Sequence, residues 1–435
     1  MSSERTTPLD PFLEPLLADA AHLGPDWLRA LRSRGADSAR RLGVPGTSDE
    51  EWRTIRLRPL VGKAWAPATA VNTAIDLQAF DRFVLPEASG SRVVFVDGVL
   101  SPELTNTSAL GAGVVQSLSD AIDGDEALVR EHIGRMALDA DAFSALNTAR
   151  MAEGVVVHLP KGQEQAAPIV ILFLSTGRSG VATFPRALIV AEAGSQATVI
   201  EEYVGLEGES FTNAVTEVVV EPNARLHLVK IQSESKQAFH VGTTAVRVAR
   251  DGHLVSTAIT LGAALSRHTV EVVQTGSNAH SALDGLVILD GEQVADTHTS
   301  TDHRQPNGTS AQVHKVIASE RSYGVFNGKI VVRQDAQKIS ANQLSRSLLL
   351  SDKARVHTKP QLEIFADDVK CTHGATIGQL EAEQVFYLQS RGLDEASARA
   401  LLTYAFAAQI VETLPVASIR QRLTRHIADL FEVNV

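Results

Sequence analysis

Cysteine is almost absent from this chain. Cys371 is the one thiol in 435 residues, which excludes an intrachain disulfide framework and fits a reducing compartment. Aromatic residues are scarce at 5%, so an ordinary hydrophobic content of 44% has to be packed from aliphatic side chains. Positive charge is in short supply as well. The 40 Lys and Arg face 51 Asp and Glu, for a net charge of −11. That balance excludes the basic footprint of a nucleic-acid-binding domain and a polybasic membrane patch. Long apolar runs are missing too. The most conspicuous one, Pro168-Ile-Val-Ile-Leu-Phe-Leu174, is far shorter than the ~20 residues that cross a bilayer. Met1-Ser-Ser-Glu-Arg-Thr-Thr7 has no apolar signal-peptide core. These absences lead to the expectation of a soluble, cytoplasmic protein.

Signature motifs of common enzyme classes are also missing. There is no G-x-x-x-x-G-K-[ST] phosphate loop, no G-x-G-x-x-G, no H-E-x-x-H and no G-x-S-x-G nucleophile elbow. The richest histidine stretch is Asp296-Thr-His-Thr-Ser-Thr-Asp-His303. His298 and His303 with Asp296 and Asp302 make one candidate metal cluster; a polar turn with histidines at its rim is the plainer reading. His314 and His357 are scattered.

What is present divides the chain into three zones, within a length that allows two or three domains or one elongated one. Residues 1–90 read as helical. Leu13, Leu16, Leu17 and Ala20 recur at helical spacing, as do Trp27, Leu28 and Leu31. Pro45 and Gly46 break the pattern. Glu50-Glu-Trp-Arg-Thr-Ile-Arg-Leu-Arg-Pro-Leu60 follows, where Trp52, Ile55 and Leu57 are placed to anchor the segment on the body of the protein. Residues 91–375 read as a β core with a helical insert near 118–151. Short runs rich in β-branched residues, such as Val155-Val-Val-His-Leu159 and Val215-Thr-Glu-Val-Val-Val220, succeed one another with few helical stripes between them. Residues 376–435 return to helix. Gln379 to Ser390 is one. Asp394 is placed to cap the next, whose apolar stripe is Ala398, Leu401, Leu402, Ala405, Phe406 and Ile410. Pro415 opens a third, with Ile419, Leu423, Ile427 and Leu430 on one side.

The turns of the middle zone repeat. Gly194, Asn223, Gly252 and Asn278 stand 29, 29 and 26 residues apart, and Asp335 and Asp352 occupy similar turns. Gly, Asn and Asp tolerate the left-handed backbone of such turns. A period in this range points to stacked coils that each add short strands to long sheets. The expected fold is therefore mainly β, a β-helix flanked by helical N- and C-terminal regions; an antiparallel sandwich is the rival. A solenoid needs capped ends, and the C-terminal helices are candidates for the cap, for a partner-docking platform, or for both. They are expected to be separable from the β-helix.

The densest chemistry lies in Ala366-Asp-Asp-Val-Lys-Cys-Thr-His-Gly-Ala-Thr376. A thiolate and an imidazole are good ligands for iron or zinc. On a strand, residues i and i+2 share a face, so Cys371 and His373 can meet one metal. Two ligands make half a site, and another chain would have to complete it. A small buried thiol beside a surface histidine is the alternative reading.

Taken together, Asp302-His303, Val325-Phe-Asn-Gly-Lys-Ile330, Ala336-Gln-Lys338, Leu348-Leu-Leu-Ser351, Pro360-Gln-Leu-Glu-Ile364, the segment 366–380 and Gln384-Val-Phe-Tyr-Leu-Gln-Ser-Arg-Gly392 form a specific pattern. Glu51-Trp-Arg53, Val94-Phe-Val-Asp-Gly98 and Ala145-Leu-Asn147 add weaker matches. The pattern resembles the SufB/SufD family of iron–sulfur cluster assembly scaffold subunits. Within it the chain is similar to the SufD branch, because Leu388 stands where the SufB branch carries a cysteine after Phe-Tyr. Thr372 replaces a common Ser and keeps the hydroxyl. The resemblance implies a right-handed parallel β-helix and a non-enzymatic scaffold that pairs with SufB and docks the ATPase SufC on its C-terminal helices. Leu401, Leu402, Ala405 and Phe406 are the candidate docking-platform residues. It further implies that Cys371 and His373 lie at the SufB pairing surface, with His373 a ligand to iron or to a transient cluster and nothing tightly bound in isolation. A homodimer is expected when SufB is absent. A β-helix enzyme acting on polysaccharide is the alternative function.

Overall fold

The computed structural model describes residues 10–18, 24–68, 80–151 and 153–433; the sequence-predicted helix position Ala20 lies outside them. Two large sheets dominate the chain, one of 11 strands and one of 10. Successive strands alternate between them. Ser210–Val220, Phe239–Val248, Leu265–Gln274, Val294–His303, Tyr323–Val332 and Arg355–Ile364 pair in parallel in the first. Gln196–Gly205, Arg225–Ser233, His253–Thr260, His280–Leu289, Thr309–Ala318, Ile339–Leu349 and Val369–Gly378 do so in the second. Each strand thus pairs with the next but one, which makes the chain a parallel β-solenoid of about eight turns with helices at both termini. The turn repeat carried that information; the antiparallel sandwich is ruled out by the pairing.

The inward rows show why these sequences coil. Alternate residues from both sheets, including Val157, Ile171, Ile189, Val199, Val218, Leu228 and Val246, form one buried core, so burial fixes the register. The turns hold a second ladder. Gly194, Asn223, Asp251, Asn278, Asn307 and Lys338 all have positive φ. Each donates its backbone N–H to a carbonyl one coil further on, as in Asn223 to Arg250 at 3.1 Å and Asn307 to Gln337 at 2.9 Å. Three expectations shift here. Asp251, not Gly252, takes the left-handed conformation of its turn, and Lys338, not Asp335, does so in the 335 turn. Asp352 is not left-handed either. A stacked turn fixes its neighbours so firmly that a side chain without special aptitude can be held there.

Helices cover the outer faces. Trp52, Ile55, Leu57 and Leu60 pack with Phe143, Phe211, Phe239 and Leu265 over the first sheet, so Trp52 is a packing residue as well as an anchor. The insert helices Leu118–His132 and Ala142–Arg150 lie on the same side. Asn147 donates to Pro185 O at 2.9 Å and Asn213 O at 2.8 Å. Glu217 is fully buried and accepts N–H bonds from Gly134, Arg135 and Met136 at 2.6–2.9 Å, with Arg186 as its buried ion-pair partner.

The C-terminal helices do not cap the solenoid. Glu395–Val411 and Ala417–Leu430 run back along the outer face of the second sheet, burying Val229, Ile231, Ile259, Leu286, Ile288 and Ile317. Ser418 N donates to Glu87 at 3.0 Å, and Arg422 pairs with Glu202, both near the opposite end. The last coil is left open. Arg355–Ile364 and Val369–Gly378 each have a free edge among the described residues, and their residues are exposed or half-buried throughout. Pro360 is tolerated in such an edge strand because one row of N–H groups has no ladder to join.

Candidate functional site at the open end of the solenoid

Cys371 and His373 lie on the edge strand Val369–Gly378, in register with Ala341 and Gln343 of the preceding coil. Ala341 and Gln343 face inward. Cys371 and His373 therefore extend the inward rows past the last coil that anything covers. Cys371 is half-buried, against Ile330, Val332, Ile339 and Ala341. Burial pushes its thiol pKa up, against a backbone hydrogen bond involving Ala341 that pulls it down, so it is a protonated thiol near neutrality. His373 is exposed. The turn before the strand is pinned by its backbone: Lys338 N donates to Asp368 O at 2.6 Å, and Asp368 N donates to Gln337 Oε1 at 2.9 Å.

Behind His373 the inward row continues as Gln343 and then Gln312. Gln343 Nε2 donates to Gln312 Oε1 at 2.9 Å. Gln343 Oε1 is buried without a hydrogen-bond partner among the described residues, an acceptor held beside the open coil. Around the site the surface is apolar for so exposed a region. Phe365 is 60% and Ile377 44% exposed. On the following helix, Ala382–Ser390, Phe386 is 71% exposed and Tyr387 57%.

The histidine stretch 296–303 behaves differently from its reading as a ligand cluster or a polar turn. It is the strand Val294–His303, and its alternation sends its members to opposite faces. His298 points outward, 2.9 Å from Asp296 and 3.0 Å from Glu51. Burial disfavours its charged form, but the hydrogen bonds to Asp296 and Glu51 outweigh burial and raise its pKa. His303 points inward to Ser310 Oγ at 3.0 Å, and burial lowers its pKa to about 4. Asp302 is taken by Arg333 and Arg304, each at 2.8 Å. His314 stacks on Phe326 inside the solenoid at 4.2 Å, and burial lowers it to about 3. Among the described residues no group of three or more His, Cys, Asp or Glu side chains is placed to hold a metal. Cys371 and His373 remain a pair.

The stripe on the helix Glu395–Val411 is rotated from its sequence reading. Ala398, Thr403, Ala407, Ile410 and Val411 are buried; Leu401, Leu402 and Phe406 are half-buried, and Ala405 is exposed. Asp394 caps this helix by accepting from Ser397 N at 2.7 Å. Sequence reasoning missed Lys315, which holds the helix to the solenoid. Its Nζ donates to Phe406 O at 2.7 Å and lies 4.3 Å from the Phe406 ring centroid. Burial lowers its pKa to about 8. Its outward position on a strand was the available signal.

Comparison with known proteins decides the family. The model of the SufBD core domain of the SUF system for FeS cluster assembly matches residues 173–406, and that of the SufBD N-terminal region matches 20–171. The chain belongs to the SufBD family. It is 38% identical over 408 residues to an iron–sulfur cluster assembly SufBD family protein of Synechocystis, covering 91% of this chain and 90% of the relative. It is 33% identical over 393 residues to the iron–sulfur cluster assembly protein SufD of Escherichia coli, covering 89% of each. A chloroplastic protein of Arabidopsis thaliana, ABCI7, is 34% identical over 360 residues, with 80% of this chain and 75% of the relative covered. A SufBD protein thus presents its densest motif on an uncovered coil. No helix among the described residues is long and apolar enough to cross a membrane.

Proposed function

We propose that this chain is a SufD-type scaffold subunit of a cytoplasmic Suf assembly complex, with no turnover of its own. It pairs its open end with SufB, carries SufC on its C-terminal helices, and contributes His373 to the binding of iron or of a nascent cluster, which is cargo rather than a resident group. The observation that carries this reading is the last coil. An edge strand with unpaired backbone groups is a template for another chain, and here it displays an exposed imidazole on the coil that also exposes Phe365 and Ile377. A second solenoid laid on this end would pair the free edges, cover the apolar side chains and supply the missing ligands. In isolation a second copy of the chain can occupy the same end as a symmetric dimer. The protonated Cys371 thiol is a poorer ligand than His373 and serves first as packing. The reading of the chain as a polysaccharide-active enzyme draws no support from the names of its relatives.

Coexpression with SufB and SufC, followed by anaerobic isolation, tests the proposal. Wild type is expected to hold iron and sulfide, and His373→Ala to assemble the same complex with much less of both. Failure to copurify with either partner refutes the scaffold reading. Normal iron and sulfide in the variant refutes the role of His373.

A further inference from the structure

The segment Glu50–Leu60 buries Trp52, Ile55, Leu57 and Leu60. That alternation turns Arg53 and Arg56 outward, and both are exposed. They form one wall of an open groove of about 1710 Å³. The other wall is made by turns of the last coils, with Arg321, Lys353 and Arg355, also exposed. Five cations thus face two acids, Glu292 and Asp352, in a chain whose net charge is −11. Arg321 is held by Glu292 at 3.4 Å; Arg53, Arg56, Lys353 and Arg355 form no salt bridge among the described residues. The floor between them is Val294 and its register partner Tyr323, both half-buried; Leu265 and Phe239 continue the row beneath the 50–60 segment and are each 3% exposed.

We propose that this groove docks an acidic, extended polypeptide segment of a partner protein, with its apolar side chains on the floor and its carboxylates between the two basic walls. Charge decides the sign of the occupant: desolvating four cations without salt bridges is favourable only against anions. Size decides its kind: the groove is larger than the ~300–1,000 Å³ of small-molecule sites. A long polyanion would run beyond the groove onto the surface of an acidic protein, where a short acidic segment would not. The groove is separate from His373, so its failure and that of the scaffold reading are distinguishable.

The test uses the full chain and a fluorescein-labelled hexapeptide of alternating Glu and Leu, read by fluorescence anisotropy. Saturable binding is expected at low salt, weakened at least tenfold between 50 mM and 500 mM salt because screening acts on exposed charges. Arg53→Glu with Arg56→Glu on one wall, and Lys353→Glu on the other, are each expected to weaken binding at least tenfold. All three side chains are exposed, so the melting temperature should not change. No saturable binding overturns the proposal. So does equal binding of a Lys–Leu peptide, or affinity unchanged in both wall variants. Tighter, wall-dependent binding of pyrophosphate or of polygalacturonate also overturns it, in favour of a small phosphate compound or an acidic polysaccharide.

Discussion

Gln343 and His373 are register partners on the last two strands of the ten-stranded sheet, yet Gln343 is 1% exposed and His373 stands in solvent. They occupy the same inward row one coil apart. The difference is the absence of a further coil over His373. A solenoid normally hides its final inward row under a capping element. Here the helices that could do so run back along the outer face of the second sheet instead. The open end is therefore a surface shaped like a core, which a partner's end can cover.

The first prediction concerns His373 alone. Because its side chain is exposed, His373→Ala should change the stability of the isolated chain by no more than ~0.5 kcal/mol. The loss should appear in the iron and sulfide of the assembled complex, in the same preparation whose melting curve is unchanged. A marked destabilisation of the isolated chain would mean that the imidazole is structural.

Cys371 should behave as packing. Burial raises its pKa above the ordinary thiol value, so alkylation by iodoacetamide should be slow at pH 7 and still rising with pH where an ordinary thiol has levelled off. Cys371→Ala should cost about 1 kcal/mol for the small cavity it leaves. Fast alkylation with a plateau near neutrality would show an activated thiolate instead.

These two residues show how far the sequence reaches. Cys371 and His373 stand out by composition and spacing, and the 29-residue turn period leads to the solenoid, because left-handed turn positions favour Gly, Asn and Asp. Lys338 escapes that reading because the surrounding coils impose its conformation. His298 and His303 read as a cluster until the strand period separates them, since periodicity assigns faces only once the segment is known to be a strand. The rotation of the stripe on Glu395–Val411 is set by Lys315 and the outer face of the second sheet. Those are contacts about 90 residues distant in sequence, which no local window contains.

The buried pair Arg186 and Glu217 should be the most sensitive polar contact in the chain. Glu217 holds the backbone of residues 134–137 as well as Arg186, so Glu217→Ala strands a buried guanidinium and four N–H groups. A loss of about 3–5 kcal/mol is expected, measurable by urea denaturation, with early hydrogen exchange in the insert. A loss under 1 kcal/mol would mean that the insert is held by its apolar face alone.

His298 should make the hold of the 50–60 segment depend on pH. It faces Asp296 and Glu51, with Arg267 and Asn327 adjoining, and its folded pKa is raised. Its contribution is then fully present below the unfolded value of about 6.5 and is lost as pH rises through the higher folded value. His298→Gln should cost about 1–3 kcal/mol at pH 5.5 and less at pH 8.5. Comparison with wild type at each pH cancels His303 and His314, which burial lowers to about 4 and about 3. A deficit that is constant or grows with pH would show that His298 is neutral in the folded chain.

The C-terminal helices need a subtler test than deletion. Cutting after residue 392 would uncover six aliphatic side chains of the second sheet, from Val229 to Ile317. At about 1.5–3 kcal/mol for each buried side chain, that is on the order of 10 kcal/mol, comparable with the whole stability of a domain. The truncated chain is therefore expected to aggregate, contrary to the sequence-based expectation that the β-helix would be spared. Substitutions on the outward side avoid the problem. Phe386 is 71% exposed and Tyr387 57%, and Ala405 is exposed on the neighbouring helix. Phe386→Glu with Tyr387→Glu, and Ala405→Glu separately, should leave the melting temperature within about 1–2 °C of wild type. If SufC docks on this surface, the variants should lose it in a pull-down while keeping SufB. Retention of SufC at the wild-type level by both variants would place its docking site elsewhere on the chain.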